Sequence, residues 1–225
     1  MNAVVLLSGG IDSSTCLAVA LKKHKAADVL AVNMYYGQRH DKEMQSARKI
    51  ARYYGVELVE LDLSTIFARS DCSLLKFSNK SIPEGSYDQQ QKENPGKPVS
   101  TYVPFRNGLM LSAAASIAVS VGATEVYYGA HADDAAGNAY PDCSPAFTAA
   151  IDRAIRYGTD GQVAIYAPFI EKTKADVVYE GTMLGVPYEL TWSCYAGGEH
   201  PCGKCGTCID REKAFKQNGL EDPVR

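Results

Sequence analysis

A short segment near the start of the chain has the composition of a phosphate-binding loop. The apolar run from Ala3 to Leu7 is followed directly by Ser8-Gly9-Gly10-Ile11-Asp12-Ser13-Ser14. Two consecutive glycines let the backbone turn tightly beside an anion, and a helix that follows would present unpaired N–H groups at its positive end. The segment therefore predicts a pyrophosphate site. The alternative is a Gly-Gly turn in which Ser13 or Ser14 caps a helix.

The order of residues in this loop differs from two common nucleotide motifs. It lacks the Gly-Lys-Ser/Thr ending that places a lysine on the β- and γ-phosphates, and it lacks the Gly-x-Gly-x-x-Gly spacing of dinucleotide folds. Transfer of a γ-phosphoryl group and transfer of a hydride are therefore both less favoured.

Four cysteines near the end of the chain have the spacing of a metal site. They follow the pattern Cys-x7-Cys-x2-Cys-x2-Cys and are Cys194, Cys202, Cys205 and Cys208. Four thiolates close a tetrahedral zinc site with no open position, so the predicted zinc is structural. We interpret His200 as a bystander. Free or disulfide-linked cysteines are the alternative, and a reducing cytosol disfavours the disulfides.

The composition indicates a globular protein of ordinary domain size. The chain has 225 residues, of which 46% are hydrophobic and 22% charged, and its net charge is −3. Such a chain can bury a full core and has no general basic surface, so direct nucleic-acid binding is disfavoured. No apolar run approaches the ~18 residues of a membrane span, and no signal peptide is recognisable. We expect a cytoplasmic protein without a membrane partner.

Strand and helix patterns alternate along the chain. Apolar runs predict five strands, at 3–7, 28–34, 56–61, 125–129 and 163–167. Helical spacing predicts six helices, at 13–24, 41–54, 106–121, 145–157, 173–184 and 208–218. Short connections between them predict an α/β fold, with a doubly wound, mostly parallel five-stranded sheet and helices on both faces. The helix at 106–121 is apolar almost all round and is expected to be buried.

The chain is predicted to form one main domain, residues 1–190, with a zinc-binding C-terminal segment, residues 191–225, packed on it. Within the main domain, residues 71–98 are polar and rich in proline and glycine. A loop of this length is usually either a lid or a disordered segment. We interpret it as a mobile lid over a ligand.

Polar residues in the loops after the strands are candidates for the site, because these loops meet at the carboxyl edge of a doubly wound sheet. Those after the fourth and fifth strands are His131, Asp133, Asp134, Tyr140-Pro141-Asp142-Cys143, Lys172 and Lys174. Arg106-Asn107 opens the third helix and would place a guanidinium beside the phosphates. The alternatives are a solvated loop for the aspartates, a surface cation for Lys174 and an ordinary capped helix start for Arg106-Asn107.

These residues together resemble a known family. The chain is similar to the ATP pyrophosphatase (PP-loop) superfamily, which has an adenine nucleotide alpha hydrolase-like fold, and within it to the 7-cyano-7-deazaguanine synthases of queuosine biosynthesis. The first loop marks only the superfamily. The narrower resemblance rests on Thr101-Tyr102-Val103-Pro104, Arg106-Asn107, Tyr140-Pro141-Asp142-Cys143, Lys174, and Thr191-Trp192-Ser193-Cys194-Tyr195 with the other three cysteines.

The resemblance implies an ATP-dependent C–N ligase. Its reaction would convert 7-carboxy-7-deazaguanine and ammonia to 7-cyano-7-deazaguanine through adenylated intermediates. Mg²⁺ would accompany the ATP, and each chain would hold one structural Zn²⁺. The oligomeric state is open, with a homodimer as one alternative. In the implied catalytic set, Asp12 holds magnesium or orients the loop. Arg106 and Lys174 offset phosphate charge, and Asp142 binds the guanine-like edge. The implied ATP-binding residues are Leu7, Ser8, Gly9, Gly10, Ile11, Asp12, Ser13, Ser14, Thr15, Cys16, Leu17, Arg106 and Asn107.

Three departures from the family pattern lie on the expected substrate side. Phe105 stands where the family commonly has glycine, Ser144-Pro145-Ala146-Phe147 stands where it commonly has Arg-Pro-Glu-Phe, and Asn138-Ala139 precedes Tyr140. Two alternatives stay open. One is a related PP-loop enzyme that adenylates a different carboxylate or deazapurine. The other is a zinc-ribbon binding module with a vestigial phosphate loop, against which the intact first loop argues.

Overall fold

Five parallel strands form one sheet at the centre of the protein. The computed structural model describes residues 1–224. The strands are β1 (Ala3–Leu6), β2 (Val29–Tyr35), β3 (Glu57–Asp62), β4 (Glu125–Tyr127) and β5 (Ala164–Tyr166). Their order across the sheet is β3-β2-β1-β4-β5, and every neighbouring pair is parallel. The predicted doubly wound parallel sheet is confirmed.

The direction in which the sheet is built reverses at β1. Ala3 lies opposite Val29 of β2 on one side and opposite Glu125 of β4 on the other. The chain therefore winds outward in both directions from β1, and the connections after β1 and β4 leave on opposite faces. A crevice opens between such connections at the carboxyl edge of the sheet.

Helices cover both faces of the sheet. They are α1 (Ile11–Lys23), α2 (Lys42–Tyr54), α3 (Tyr87–Glu93), α4 (Arg106–Val121), α5 (Ala132–Ala135), α6 (Pro145–Gly158), α7 (Lys174–Met183) and α8 (Gly206–Gln217). Val5 of β1 packs in the core formed with α1, α2, α7 and α8, whereas the next side chain along, Val4, packs with α4 and α6. No helix within residues 1–224 is long and apolar enough to cross a membrane.

Helix α4 is buried on one side only, which corrects the prediction of a fully buried helix. Leu111, Ala114 and Ala118 face the sheet and are buried, but Ser116 is exposed and Val119 is 40% exposed. The helix lies in an outer layer, so one face must meet solvent. Its serine hydroxyls donate to carbonyls of the preceding turn, which makes serine acceptable on that face.

The segment 71–98 is folded against the body and contains α3, so the prediction of an irregular loop is wrong for this part. Ser86 and Gln89 form a capping box that starts the helix. Leu75 is buried in a small cluster with Tyr36 and Val103, beneath the loop. The movement of this segment as a lid stays a prediction.

A buried arginine ties the C-terminal residues to the body. Arg211 of α8 forms a two-pronged ion pair with Asp222 at 2.7 and 2.9 Å, with both side chains less than a tenth exposed. Its other donors reach the Thr191 hydroxyl at 2.8 Å and the Tyr188 carbonyl at 3.2 Å. One guanidinium therefore joins α8, the final residues and the segment that enters the crevice.

We predict that Asp222→Asn destabilises the protein by about 3 kcal/mol, because it leaves a buried guanidinium without its counter-charge. The matched control is Glu60→Gln, which breaks the exposed two-pronged Arg48–Glu60 pair and should change the free energy of unfolding by less than about 1 kcal/mol. Urea unfolding of both variants checks this. Equal changes in the free energy of unfolding would show that the buried Arg211–Asp222 pair stabilises the protein no more than the exposed Arg48–Glu60 pair.

Candidate active site

The crevice at the carboxyl edge of the sheet gathers most of the residues selected from the sequence. Its floor is formed by the ends of β1, β2 and β4, represented by Leu6, Asn33 and Tyr128. The first turns of α1, α2, α4 and α7 point into it, and the segment with Trp192 and Ser193 closes one side. The reversal of strand order therefore places the site where the first loop begins.

The loop after β1 is shaped to receive an anion. The Ser13 hydroxyl oxygen accepts from the N–H groups of Ser8 and Gly9, at 3.1 and 3.2 Å, and it lies 2.9 Å from the Ser8 hydroxyl. The N-cap of α1 is Gly10, and no side chain among the described residues caps the helix. The alternative of an ordinary serine cap does not apply, since Ser13 organises the loop and leaves the first turn of α1 open.

Gly9 has a conformation and a position that require glycine. Its φ is +88°, and a Cβ there would lie 2.4 Å from the Glu43 carbonyl oxygen and 2.5 Å from the Ala47 nitrogen. The Gly9 carbonyl accepts from the Trp192 N–H at 2.9 Å. The loop is therefore held between α2 and the C-terminal segment.

A buried charge cluster lies at one end of the crevice. Lys174 Nζ donates to Asp12 Oδ2 at 2.5 Å, and His131 Nε2 lies 3.4 Å from Asp134 Oδ2. Although burial raises the pKa of the Asp12 carboxyl, the charges of Lys174 and His131 hold it below its usual value. The second carboxyl oxygen of Asp12, Oδ1, is shielded from solvent and has no hydrogen-bond partner within residues 1–224. It lies 3.6 Å from His131 Nε2, which is within ion-pair distance but beyond a hydrogen bond.

The other end of the crevice carries an arginine and a glutamate that do not pair. The Arg106 guanidinium lies over the Tyr36 ring, 4.9 Å from its centre, and makes no hydrogen bond or ion pair with the described residues. Burial raises the pKa of the Glu43 carboxyl to about 7, with the Arg106 charge opposing the rise. No nitrogen of Arg106 lies within 4.0 Å of a Glu43 carboxyl oxygen, and both side chains line the crevice.

Three tyrosine hydroxyls meet in the same end of the crevice. Tyr87 of α3 shares a hydrogen bond with Tyr195 at 2.8 Å and accepts from Tyr140 at 3.2 Å. The Tyr140 hydroxyl also lies 2.6 Å from that of Thr101. The three tyrosines and Thr101 come from four different segments of the chain. Their hydrogen bonds therefore fix the shape of an aromatic wall of the crevice.

In the structure, the predicted site residues lie in three places: the crevice lining, the loop behind it, and the core. Leu7, Ser8, Gly10, Asp12, Ser13, Arg106, Asn107 and Lys174 line the crevice, with Gly9 in the loop behind it. The side chains of Ile11, Ser14, Thr15, Cys16 and Leu17 point into the protein and are buried. Thr15, for example, bonds to Tyr188 at 2.9 Å. One face of α1 therefore lines the crevice, and the other face packs in the core.

Asp142 is placed differently from its expected position on the substrate edge. Its Oδ2 accepts from the Asn107 backbone N–H at 2.8 Å, and it does not line the crevice. Burial raises the pKa of its carboxyl, against the opposing hydrogen bond from Asn107. In the structure, Asp142 holds the start of α4, and so positions Arg106.

Glu43, Tyr36 and Tyr87 were missed by the sequence analysis. Glu43 and Tyr36 follow β2, so the rule that selected the loops after the first, fourth and fifth strands would also have found them. Tyr87 carried no signal, because it belongs to α3, inside the segment interpreted as a lid.

The four predicted cysteines come together beside the crevice. Their sulfur atoms lie within 4.8 Å of one another, and the Cys202 and Cys208 sulfurs are 3.9 Å apart. The N–H groups of Ala196 and Cys202 donate to Cys194 Sγ at 3.4 and 3.3 Å, and such bonds favour the thiolate form. His200 is exposed and is not part of this cluster. The donor set suits a metal that prefers four sulfurs.

Comparison with known families decides the classification. A model of the family described as queuosine biosynthesis protein QueC matches residues 2–219. The chain belongs to the QueC family. A relative from Archaeoglobus fulgidus, named 7-cyano-7-deazaguanine synthase, is 44% identical over all of this chain and 90% of its own. One of the same name from Caldicellulosiruptor bescii is 40% identical over all of this chain and 96% of its own. The predicted membership of this enzyme family is confirmed.

Two solved structures share the fold of this QueC family member. The NMN synthetase of Francisella tularensis superposes with a TM-score of 0.52 at 15% identity, over 98% of this chain and 78% of that one. An NH3-dependent NAD synthetase from Campylobacter jejuni gives 0.51 at 14% identity, over 84% and 66%. These likenesses confirm the predicted PP-loop fold.

We predict that Cys194→Ser removes the bound metal and lowers Tm by several degrees, because a thiolate ligand is lost from a closed site. The matched control is Cys72→Ser, a buried cysteine outside the cluster, which should keep the metal. Elemental analysis of both purified variants, with thermal unfolding, checks this. Full metal content in Cys194→Ser would contradict the ligand assignment.

Proposed function

We propose that this QueC family member converts 7-carboxy-7-deazaguanine to 7-cyano-7-deazaguanine, using ATP and ammonia. The observation that carries the proposal is the open first turn of α1 in the crevice, where Asp12 of that turn is paired with Lys174 of α7. The name of the curated relatives supplies the product. The aromatic end of the same crevice supplies a place for a flat heterocycle.

The first activation makes the substrate carboxylate electrophilic. A carboxylate oxygen attacks the α-phosphorus of ATP, the bond to the β-phosphate oxygen breaks, and pyrophosphate leaves into the loop at Ser8 to Ser13. Lys174 Nζ, which bonds to Asp12 and lies 3.5 Å from His131 Nε2, brings a positive charge to the departing phosphates. Arg106, which has no partner of its own, offsets charge at the α-phosphate. Such fixed donors stabilise charge that develops in the transition state.

Ammonia then displaces AMP. Its nitrogen forms a bond to the acyl carbon, one proton is lost, and the amide remains. In the second activation, the amide oxygen attacks a new ATP and again releases pyrophosphate. Loss of AMP, with both remaining nitrogen protons, leaves the nitrile. Both activations use the same loop, because each forms a bond between a substrate oxygen and an α-phosphorus.

One oxygen of Asp12 fits a magnesium ion that accompanies ATP. Oδ1 is shielded and makes no hydrogen bond with the described residues, although His131 Nε2 lies 3.6 Å away, and carboxylate oxygens are ligands that Mg²⁺ prefers. Magnesium bound there would neutralise phosphate charge. We also propose that the four-cysteine cluster holds one Zn²⁺, which fastens the Trp192 segment onto Gly9. The homodimer and the cytoplasmic location stay predictions.

We predict that the purified protein forms the nitrile, AMP and pyrophosphate when incubated with 7-carboxy-7-deazaguanine, ATP, magnesium and ammonium. Mass spectrometry of the products checks this, with omission of ammonium as the control that should stop the reaction before the amide. Release of AMP only with another acceptor would support the alternative of a changed substrate, to which the departure at Phe105 points.

We also predict that Lys174→Met lowers kcat for AMP formation by about 10²–10³-fold, because a cation aimed at the phosphates is lost. The matched control is Lys172→Met. Lys172 pairs with Glu180 and its side chain is 42% exposed, so kcat should change less than about 2-fold. Steady-state kinetics and Tm of both variants separate loss of chemistry from loss of folding. Equal kinetics for the two variants would remove Lys174 from the site.

A further inference from the structure

The crevice contains two carboxylates, those of Asp210 and Glu43, for which the proposed reaction has no use. Its lining includes Asp12, Asp134, Asp210 and Glu43. Asp12 and Asp134 are engaged by Lys174 and His131. Asp210 belongs to the same end, since the charges of Lys174 and its aspartate neighbours act on it. Glu43 alone among these four faces the other end, where Arg106, Tyr36 and Tyr195 lie.

We propose that Glu43 is the specificity-determining residue that binds the guanine edge of the substrate, accepting from the ring N1–H and the exocyclic amine. This assignment rests on the proposed function. It takes the place of Asp142, whose Oδ2 accepts from the Asn107 N–H and whose side chain does not line the crevice.

The geometry around Glu43 leaves its carboxylate available. Glu43 lies in the first turn of α2, and its backbone carbonyl is packed against Gly9, so the residue is fixed beside the first loop. Its carboxyl group makes no hydrogen bond or ion pair with any residue in 1–224, and the residue is half-buried in the wall of the crevice. A desolvated carboxylate without partners is unfavourable, and a ligand with N–H donors relieves this.

The chemistry of a carboxylate matches guanine-type bases and rejects adenine. A guanine edge presents two adjacent N–H donors, which the two oxygens of one carboxylate can accept together. An adenine edge presents one donor beside a ring nitrogen acceptor, whose lone pair would face a carboxylate oxygen. Because ATP is the other reactant, this difference keeps its adenine out of the substrate position.

Aromatic rings complete the subsite. Tyr36 and Trp192 line the crevice near Glu43, and Tyr195 joins the tyrosine cluster beside them. Flat bases are commonly held by stacking on such rings while their edges are read by hydrogen bonds. Glu43 would therefore determine which base is bound, and the aromatic rings would contribute most of the contact area with it.

The test compares two substrates in two proteins. The substrates are 7-carboxy-7-deazaguanine and its analogue that lacks the exocyclic amine, and the proteins are the wild type and Glu43→Gln. A site built to bind a donor rejects the analogue lacking it by large factors. We expect Glu43→Gln to lower kcat/KM for the natural substrate by about 100-fold, mainly through KM, and to change that for the analogue by less than about 5-fold.

A second readout does not depend on turnover. Trp192 is the sole tryptophan of the chain and lines the crevice, so its fluorescence reports binding of either base. Titration should show weaker binding of 7-carboxy-7-deazaguanine by Glu43→Gln, with the analogue unaffected. Glu57→Gln is the matched control, because Glu57 is exposed at the start of β3. Activity of Glu43→Gln on the analogue shows that the variant is folded.

The outcomes are distinguishable. Equal losses for the two substrates would overturn the assignment and would point to a role of Glu43 toward ammonia. Retention of the full preference for the amine in Glu43→Gln would also overturn it. A wild-type protein that releases AMP with other acceptors but never forms this nitrile would overturn the proposed function itself, and the assignment with it.

Discussion

The close seating of Gly9 on α2 is the constraint on which the rest of the site depends. A side chain at this position would collide with the Glu43 carbonyl and the Ala47 nitrogen, so the loop and the helix approach each other only because residue 9 is glycine. The opposite side of the same residue accepts a hydrogen bond from Trp192. Three segments that are distant in sequence thereby meet at one peptide group, and the phosphate loop, Glu43 and the C-terminal segment take fixed relative positions.

The charges of the crevice are arranged in two separate groups. Asp12, Lys174, His131 and Asp134 lie within 4 Å of one another in pairs at the loop end, whereas Arg106 and Glu43 stay apart at the aromatic end. Paired groups tolerate burial, because each desolvated group has a partner. Glu43 has no such partner, and burial raises the pKa of its carboxyl to about 7.

Two kinds of interaction hold the C-terminal segment against the site. The cysteine cluster fixes Cys194, next to the tryptophan that contacts Gly9, and the guanidinium of Arg211 fixes Thr191 and Ser193 just before it. Neither group touches the reacting atoms. Both restrict the conformations of a segment without regular secondary structure, which allows it to serve as a wall of the crevice.

Sequence patterns determined much of the fold and part of the site. Apolar runs located the strands, and the signal is strongest for β1, β2 and β4, which are buried on both faces of the sheet. The cysteine spacing and the glycine-rich loop were recognisable because both depend on residues close together in the chain.

Only the tertiary structure decided which polar residues meet. It turned Thr15, Cys16 and Leu17 into the core, because successive residues of a helix face different directions. It placed Asp142 against the start of α4, where its carboxylate accepts from the Asn107 N–H. It also brought Glu43 and Tyr87 to the crevice from segments with no local motif. Such placements depend on contacts between residues tens of positions apart, and no pattern along the chain encodes the distance between two side chains.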